Sequence, residues 1–226
     1  MRPAGMLLAR AFTDPSGRFA LRYRRPGSPG TVLYLVARRG PGALATVLGS
    51  IPSGQVTDAP LPRRVVVNER TTLAAGFALA QFLKGRRLAG NAVGLRNATA
   101  MVGNLVDVTT GRVGEVLGTP LNGAETSTLA AFNSLANLVA NCVRSRPLCF
   151  ALLNAARDGW GRLPGDTLQA MASIARNPWR RVDPIYRLAA FRPPAYRPAL
   201  DAIMIFIGLA GPVRTPLIGL PERPEG

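Results

Sequence analysis

Two cysteines, twelve scattered carboxylates and a surplus of arginine are the residues of this 226-residue chain that could do chemistry. Histidine is absent. That removes the commonest general base and the commonest metal ligand together. A Ser-His-Asp or Cys-His site cannot be assembled within the chain. Among the carboxylates, Glu69, Asp107, Glu115, Glu125, Asp158, Asp166 and Asp183 fall in predicted loops or near helix ends. There they serve as caps and dipole partners. A paired acid–base site needs two of them to meet across the fold. No Asp-rich calcium loop, phosphate-binding glycine loop or G-x-S-x-G elbow is present. The residues therefore nominate no catalytic set, metal site or cofactor.

Cys142 and Cys149 are the only cysteines. On one unbroken helix they would stand about 10 Å apart along the axis, too far for a disulfide. Pro147 lies between them and breaks the helix, so the chain can fold back. A bond would then clip two successive helices, worth about 2–3 kcal/mol in the chain-entropy model. A disulfide is the favoured reading. Two buried thiols acting as small hydrophobes are the alternative, and a metal pair without histidine is the weakest.

The cations number 28 against 12 anions, a formal charge of +16, and Lys84 is the only lysine. Arg24-Arg25, Arg38-Arg39, Arg63-Arg64, Lys84-Gly85-Arg86-Arg87 and Arg180-Arg181 form the clusters. Codon bias in a GC-rich genome is favoured over an anionic partner, because the arginines come as scattered pairs rather than one stripe. The bland reading of each cluster is a solvated loop. The sharper one is an anion-binding surface at Arg86, Arg87, Arg180 and Arg181, with Trp179 and Tyr196 available for stacking.

The element that must organise these residues runs from Asn122 to Ala156. Leu129, Phe132, Leu135/Ala136, Val139 and Cys142/Val143 recur at steps of three and four, the apolar stripe of a core helix. Asn133, Ser134, Asn137 and Asn141 lie between them and are expected to face out or toward loops. Thr126 or Ser127 supplies an N-cap, and Arg144 and Arg146 suit the far end.

Before this helix the pattern changes once. Met6–Phe12, Arg18–Tyr23, Thr31–Ala37 and Val65–Val67 read as strands, with a turn at Thr13–Gly17. The first three, within residues 1–37, have no obvious fourth beside them and leave edges exposed. Gly40–Pro62 reads as turn-rich. From Asn68 the period shifts from two toward three and a half. Helices are predicted from Asn68 or Thr71 to Gly85 and from Asn91 to Val106, followed by a loop over Asp107–Leu121. Shorter helices follow after Pro147 to Arg157, from an opening at Pro164-Gly165-Asp166-Thr167 to a stop at Asn177-Pro178, and from Pro184 to Ala189. Arg192–Pro198 is a stiff connector, and Ile203–Ile207 reads as a strand before a frayed tail. The fold class is thus α+β: a small partial antiparallel β module (1–67) packed on or followed by a compact helical domain (68–191), with a Pro-rich connector and tail (192–226). Met1–Ala11 has too short an apolar run for a signal peptide, and Ile203–Ala210 is far too short to span a membrane.

Several strings together carry a resemblance. They are FTDPSGRFALRY with VLYLVARRG, VVNERTTLAAGFALAQF, GLRNATAMVGNLVDVTTGRVG, NGAETSTLAAFNSLANLVANCV and PGDTLQAMASIARNPWRRVDPIYRL. Over roughly residues 5 to 200 the chain resembles the region preceding the β-propeller in exported bacterial proteins of the NHL-repeat, virginiamycin B lyase-like group. Its opening strands are similar to the end of a carboxypeptidase regulatory-like (transthyretin-like) β-sandwich. The resemblance implies an extracellular or cell-envelope protein, which agrees with a Cys142–Cys149 bond. It implies no catalytic residues here, because any lyase-like site of that group belongs to a propeller that this chain lacks. The front of the β module and the signal peptide are also missing, and the sequence departs after Leu200. A fragment, a mis-started gene or a frameshifted product is the expectation.

Three readings of function follow. The favoured one is a non-catalytic accessory module of an exported protein, contacting an unidentified protein or glycan. The runner-up is a basic nucleic-acid or anionic-surface binder. The last is a hydrolase or lyase using carboxylates alone.

Overall fold

The computed structural model describes residues 7–39, 42–51, 60–85 and 87–201. Its centre is α5 (Thr128–Arg144), whose Phe132, Leu135, Ala136, Val139 and Cys142 are buried as their spacing predicts. Around it pack α6 (Arg146–Ala155), α8 (Val182–Ala189) and α1 (Glu69–Ala78). Together they build one core from Leu73, Leu152 and Ile185 with the α5 stripe, to which Met171 and Ile174 are added from a further helix.

On its other side α1 meets α7 (Thr167–Arg176) and a two-stranded antiparallel sheet, β1 (Val32–Arg39) and β2 (Gly42–Ser50). A second core joins them through Ala45, Val47, Ala74, Ala75, Leu168 and Ala172. Gly76 sets the α1–α7 distance. A Cβ there would stand 2.6 Å from Cβ of Met171, closer than packed side chains tolerate. Between the sheet and these helices lies an apolar cavity of about 10 Å³, lined by Tyr34, Val47, Leu79 and Leu88 among others. That holds one water at most.

Small hairpins and helices fill the remaining length. β3 (Leu83–Lys84) pairs with β4 (Arg87–Leu88), and β5 (Val106–Asp107) pairs with β6 (Arg112–Val113), on either side of α2 (Ala92–Leu105). Two single-turn helices, α3 (Glu115–Gly118) and α4 (Pro120–Gly123), lead into α5.

The α+β class and most helix starts match the sequence reading. Asn68 caps α1 and Asp166 caps α7, each accepting from an amide of the first turn. Other expectations are corrected. β2 lies where turns were predicted: its Gly42-Ala43-Leu44-Ala45 opening has weak β propensity. Those small side chains let the strand lie against two helices. Residues 7–12 and 18–23 form no strand, since a strand needs a neighbour to pair with. The turn between them holds, with Asp14 Oδ1 accepting from the amides of Ser16 and Arg18. Residues 65–67 are likewise no strand and bond β-fashion only at Val66 N–H to Val108 O, 2.8 Å. α1 ends at Ala78 rather than Gly85, because the chain turns out to place Leu83 in β3. Asp107–Leu121 holds a hairpin and two helical turns instead of a loop. The expected strand at Ile203–Ile207 lies outside the described residues.

Candidate functional site

Cys142 and Cys149 form a disulfide that joins the end of α5 to the first turns of α6. The helix break sits at Ser145, which ends one helix and starts the next, and Pro147 lies in the first turn of α6. Proline is tolerated there because its amide would have no partner in any case. Both cysteines are buried, Cys149 completely. The bond is scaffold, and no cysteine is free.

The polar face of α5 is also scaffold. Asn133, Ser134, Asn137 and Asn141 do not face out. All four are buried, with exposures of 0%, 3%, 3% and 4%. Asn133, Ser134 and Asn137 are aimed at backbone groups of the chain that follows α8, and Asn141 at the last turn of α8 itself. Asn133 Nδ2 donates to Pro198 O at 2.9 Å, and Asn137 Nδ2 donates to Tyr196 O at 3.0 Å. Asn141 Nδ2 donates to Leu188 O at 2.9 Å, and Ser134 Oγ accepts from Leu200 N–H at 2.9 Å. An irregular segment has no ladder of its own, so buried amides satisfy it.

Threonines do the same for β2. On its outer edge Ala45 N–H donates to Thr72 Oγ1 at 2.9 Å, and Ala45 O accepts from Thr71 Oγ1 at 2.8 Å. Ala43 exchanges the equivalent pair of bonds with the Thr167 hydroxyl. The first turns of α1 and α7 therefore stand where a third strand would be.

Tyr196 is not available for stacking on a partner. Its hydroxyl donates to Glu69 Oε2 at 2.6 Å, and the Arg70 guanidinium lies 4.4 Å from the ring centre. Burial, then the Glu69 carboxylate, push its phenol well above the ordinary range. Burial pulls Arg70 down, and Arg70 in turn donates through Nη2 to Asn133 Oδ1 at 2.9 Å.

Four more carboxylates are engaged one by one. Asp166 pairs with Arg38 at 3.0 Å, Asp158 with Arg162 at 2.7 Å, and Asp183 with Arg187 at 2.9 Å. Hydrogen bonds from Thr109 and Thr110 hold Asp107 below the usual carboxylate range. Among the described residues no three of His, Cys, Asp and Glu gather as metal ligands.

The basic clusters fare differently. Arg86 lies outside the described residues. Arg87 is exposed on β4, opposite Lys84. Arg180 and Arg181 are exposed on the turn after α7, and there the structure adds neighbours that the sequence reading missed. Arg181 Nη1 donates to Asn154 O at 2.9 Å, and Arg157 Nε donates to Asn154 Oδ1 at 2.8 Å. A Cβ on Gly159 would stand 3.7 Å from Arg180 Nη1. Arg176, through Nε and Nη2, holds Ala80 O and Leu83 O and so ties this end to the β3–β4 hairpin. The loop at 157–163 and the turn at 177–181 thus form one surface carrying Arg157, Arg162, Arg180 and Arg181. Trp160 and Trp179 rise from it with exposures of 86% and 67%. The signal in the sequence was Trp160 between two glycines and two residues before Arg162, too short a string to single out.

Among the described residues no helix is long and apolar enough to cross a membrane. No protein-family model, curated protein or solved structure matches the chain.

Proposed function

We propose that this chain is a non-catalytic binding module of an exported bacterial protein, and that it binds through the arginine- and tryptophan-bearing end formed by residues 157–163 and 177–181. One observation carries the reading. The buried asparagines, the cysteines, and Thr71, Thr72 and Thr167 are consumed in holding the chain together, whereas both tryptophans stand in solvent beside a group of cations. Large exposed aromatics among cations mark contact surfaces. The disulfide suits an oxidising compartment, and the resemblance to exported pre-propeller regions points the same way.

The test is titration of the intact chain with dextran sulfate at low and high salt, read by tryptophan fluorescence. The emission is expected to change at low salt and to recover at high salt. An emission that never responds removes this end as the contact surface. The alternative, a nucleic-acid binder, draws on the same arginines and the charge of +16.

A further inference from the structure

Resting on that reading, we infer that the partner at this end is an acidic polysaccharide: a chain of sugar rings bearing carboxylates, stacked on Trp160 and Trp179 and paired with Arg157, Arg180 and Arg181.

Both indoles stand on pinned loops. Asp158 Oδ1 accepts from the amides of Trp160 and Arg162, each at 2.9 Å, and Gly161 closes the turn at φ 76°. Arg180 N–H donates to Asn177 O at 3.0 Å. Arg181 sits at φ 52°, the left-handed region that a side chain other than glycine or asparagine seldom enters. Its guanidinium is fixed on Asn154 O. Holding exposed tryptophans on tight turns lowers the ordering cost of a contact.

The charges are just as specific. The surface carries one carboxylate, Asp158, and that one is occupied by Arg162 and two loop amides. Arg157 commits Nε and Nη1 to the protein, and Arg181 commits one Nη1. A guanidinium has five N–H donors, so both keep a fork to offer a carboxylate. Trp179 and Arg180 are chain neighbours. A uronate matches this closely spaced pair, because its carboxylate is attached directly to the ring whose C–H face would stack. In a nucleotide the base and the phosphate are held apart by a sugar. The disulfide also suits an oxidising compartment, and outside the cell glycans are the common polyanions.

The experiment is calorimetric titration of the intact chain with an oligogalacturonate, an uncharged dextran oligomer and oligo-dT. The oligogalacturonate should bind, and dextran should bind at least about tenfold more weakly. The Trp160→Ala/Trp179→Ala variant should lose about tenfold or more while unfolding at the parent's denaturant midpoint, since both side chains are exposed. Arg180→Gln/Arg181→Gln should weaken binding and flatten its salt dependence. Equal binding by the tryptophan variant overturns the stacking, and equal binding of dextran overturns the carboxylate pairing. Tighter binding of oligo-dT through the same indoles defeats the glycan assignment and leaves the contact surface standing. If no probe binds, both the partner and the surface are wrong.

Discussion

Asn137 holds the backbone of Tyr196 at both of its polar atoms, donating from Nδ2 to the carbonyl at 3.0 Å and accepting from the amide at Oδ1 at 2.8 Å. The pair lies beneath the segment that returns across α5, and no water is needed to complete it. Asn137→Ala would leave two backbone groups unpaired at a buried site. The expected loss is about 2–3 kcal/mol, read from urea midpoints. A loss below about 0.5 kcal/mol would show that packing alone seats the segment.

Tyr196 makes stability depend on alkaline pH. In the folded chain burial and Glu69 keep the phenol protonated well above its usual 10.0. The unfolded chain gives up that proton near pH 10. The contribution is whole below about pH 10 and is lost as pH rises from there through the folded value. Unfolding free energy should fall as pH rises above about pH 10, and fall less in Tyr196→Phe. Equal slopes for parent and variant would reject the linkage.

Thr46 and Thr72 are both fully buried but should respond in opposite directions to valine. Thr72 Oγ1 accepts from Ala45 N–H and donates to Asn68 O at 2.6 Å. Thr46 Oγ1 has no hydrogen-bond partner among the described residues. Thr72→Val should cost about 1–3 kcal/mol, and Thr46→Val should be neutral or gain up to about 1 kcal/mol. Thermal or urea unfolding of the two variants decides it, and a costly Thr46→Val would mean that its hydroxyl is satisfied.

Cys142→Ala/Cys149→Ala should lower stability by about 2–3 kcal/mol, as expected for a short closed loop. Reducing agent applied to the parent should reproduce that loss. Chain prepared from an oxidising compartment should show no reactive thiol when denatured without reductant, and two equivalents of label would reject the bond.

The long helices were legible because their apolar residues repeat on a helical period, and α5 and α7 needed nothing else. The cysteine clip was legible because Pro147 has to interrupt the helix near it. β2 was hidden, since Ala43 and Ala45 are favourable only where the first turns of α1 and α7 stand against the strand. Residues 18–23 alternate like a strand without one to join. Asn133, Asn137 and Asn141, expected to face out or toward loops, meet returning backbone and are buried under it, for a related reason. Side-chain polarity argues for the surface unless distant backbone requires an amide, and that requirement lies about 50–65 residues downstream. Arg180 and Arg181 were visible as a pair. Their meeting with Trp160 and Arg157 depends on how α6 and α7 end.

The asparagines of α5 also act as a ruler. One helical step of four residues advances about 6 Å, and two residues of non-helical chain reach at most about 7 Å. Asn133 and Asn137 can therefore meet Pro198 and Tyr196 in sequence, with the two segments running in opposite directions. An extra residue between Tyr196 and Pro198 would seat one amide and strand the next. The helix thus selects the returning segment by its count of residues, and lengthening it by one should cost more than most changes to its side chains.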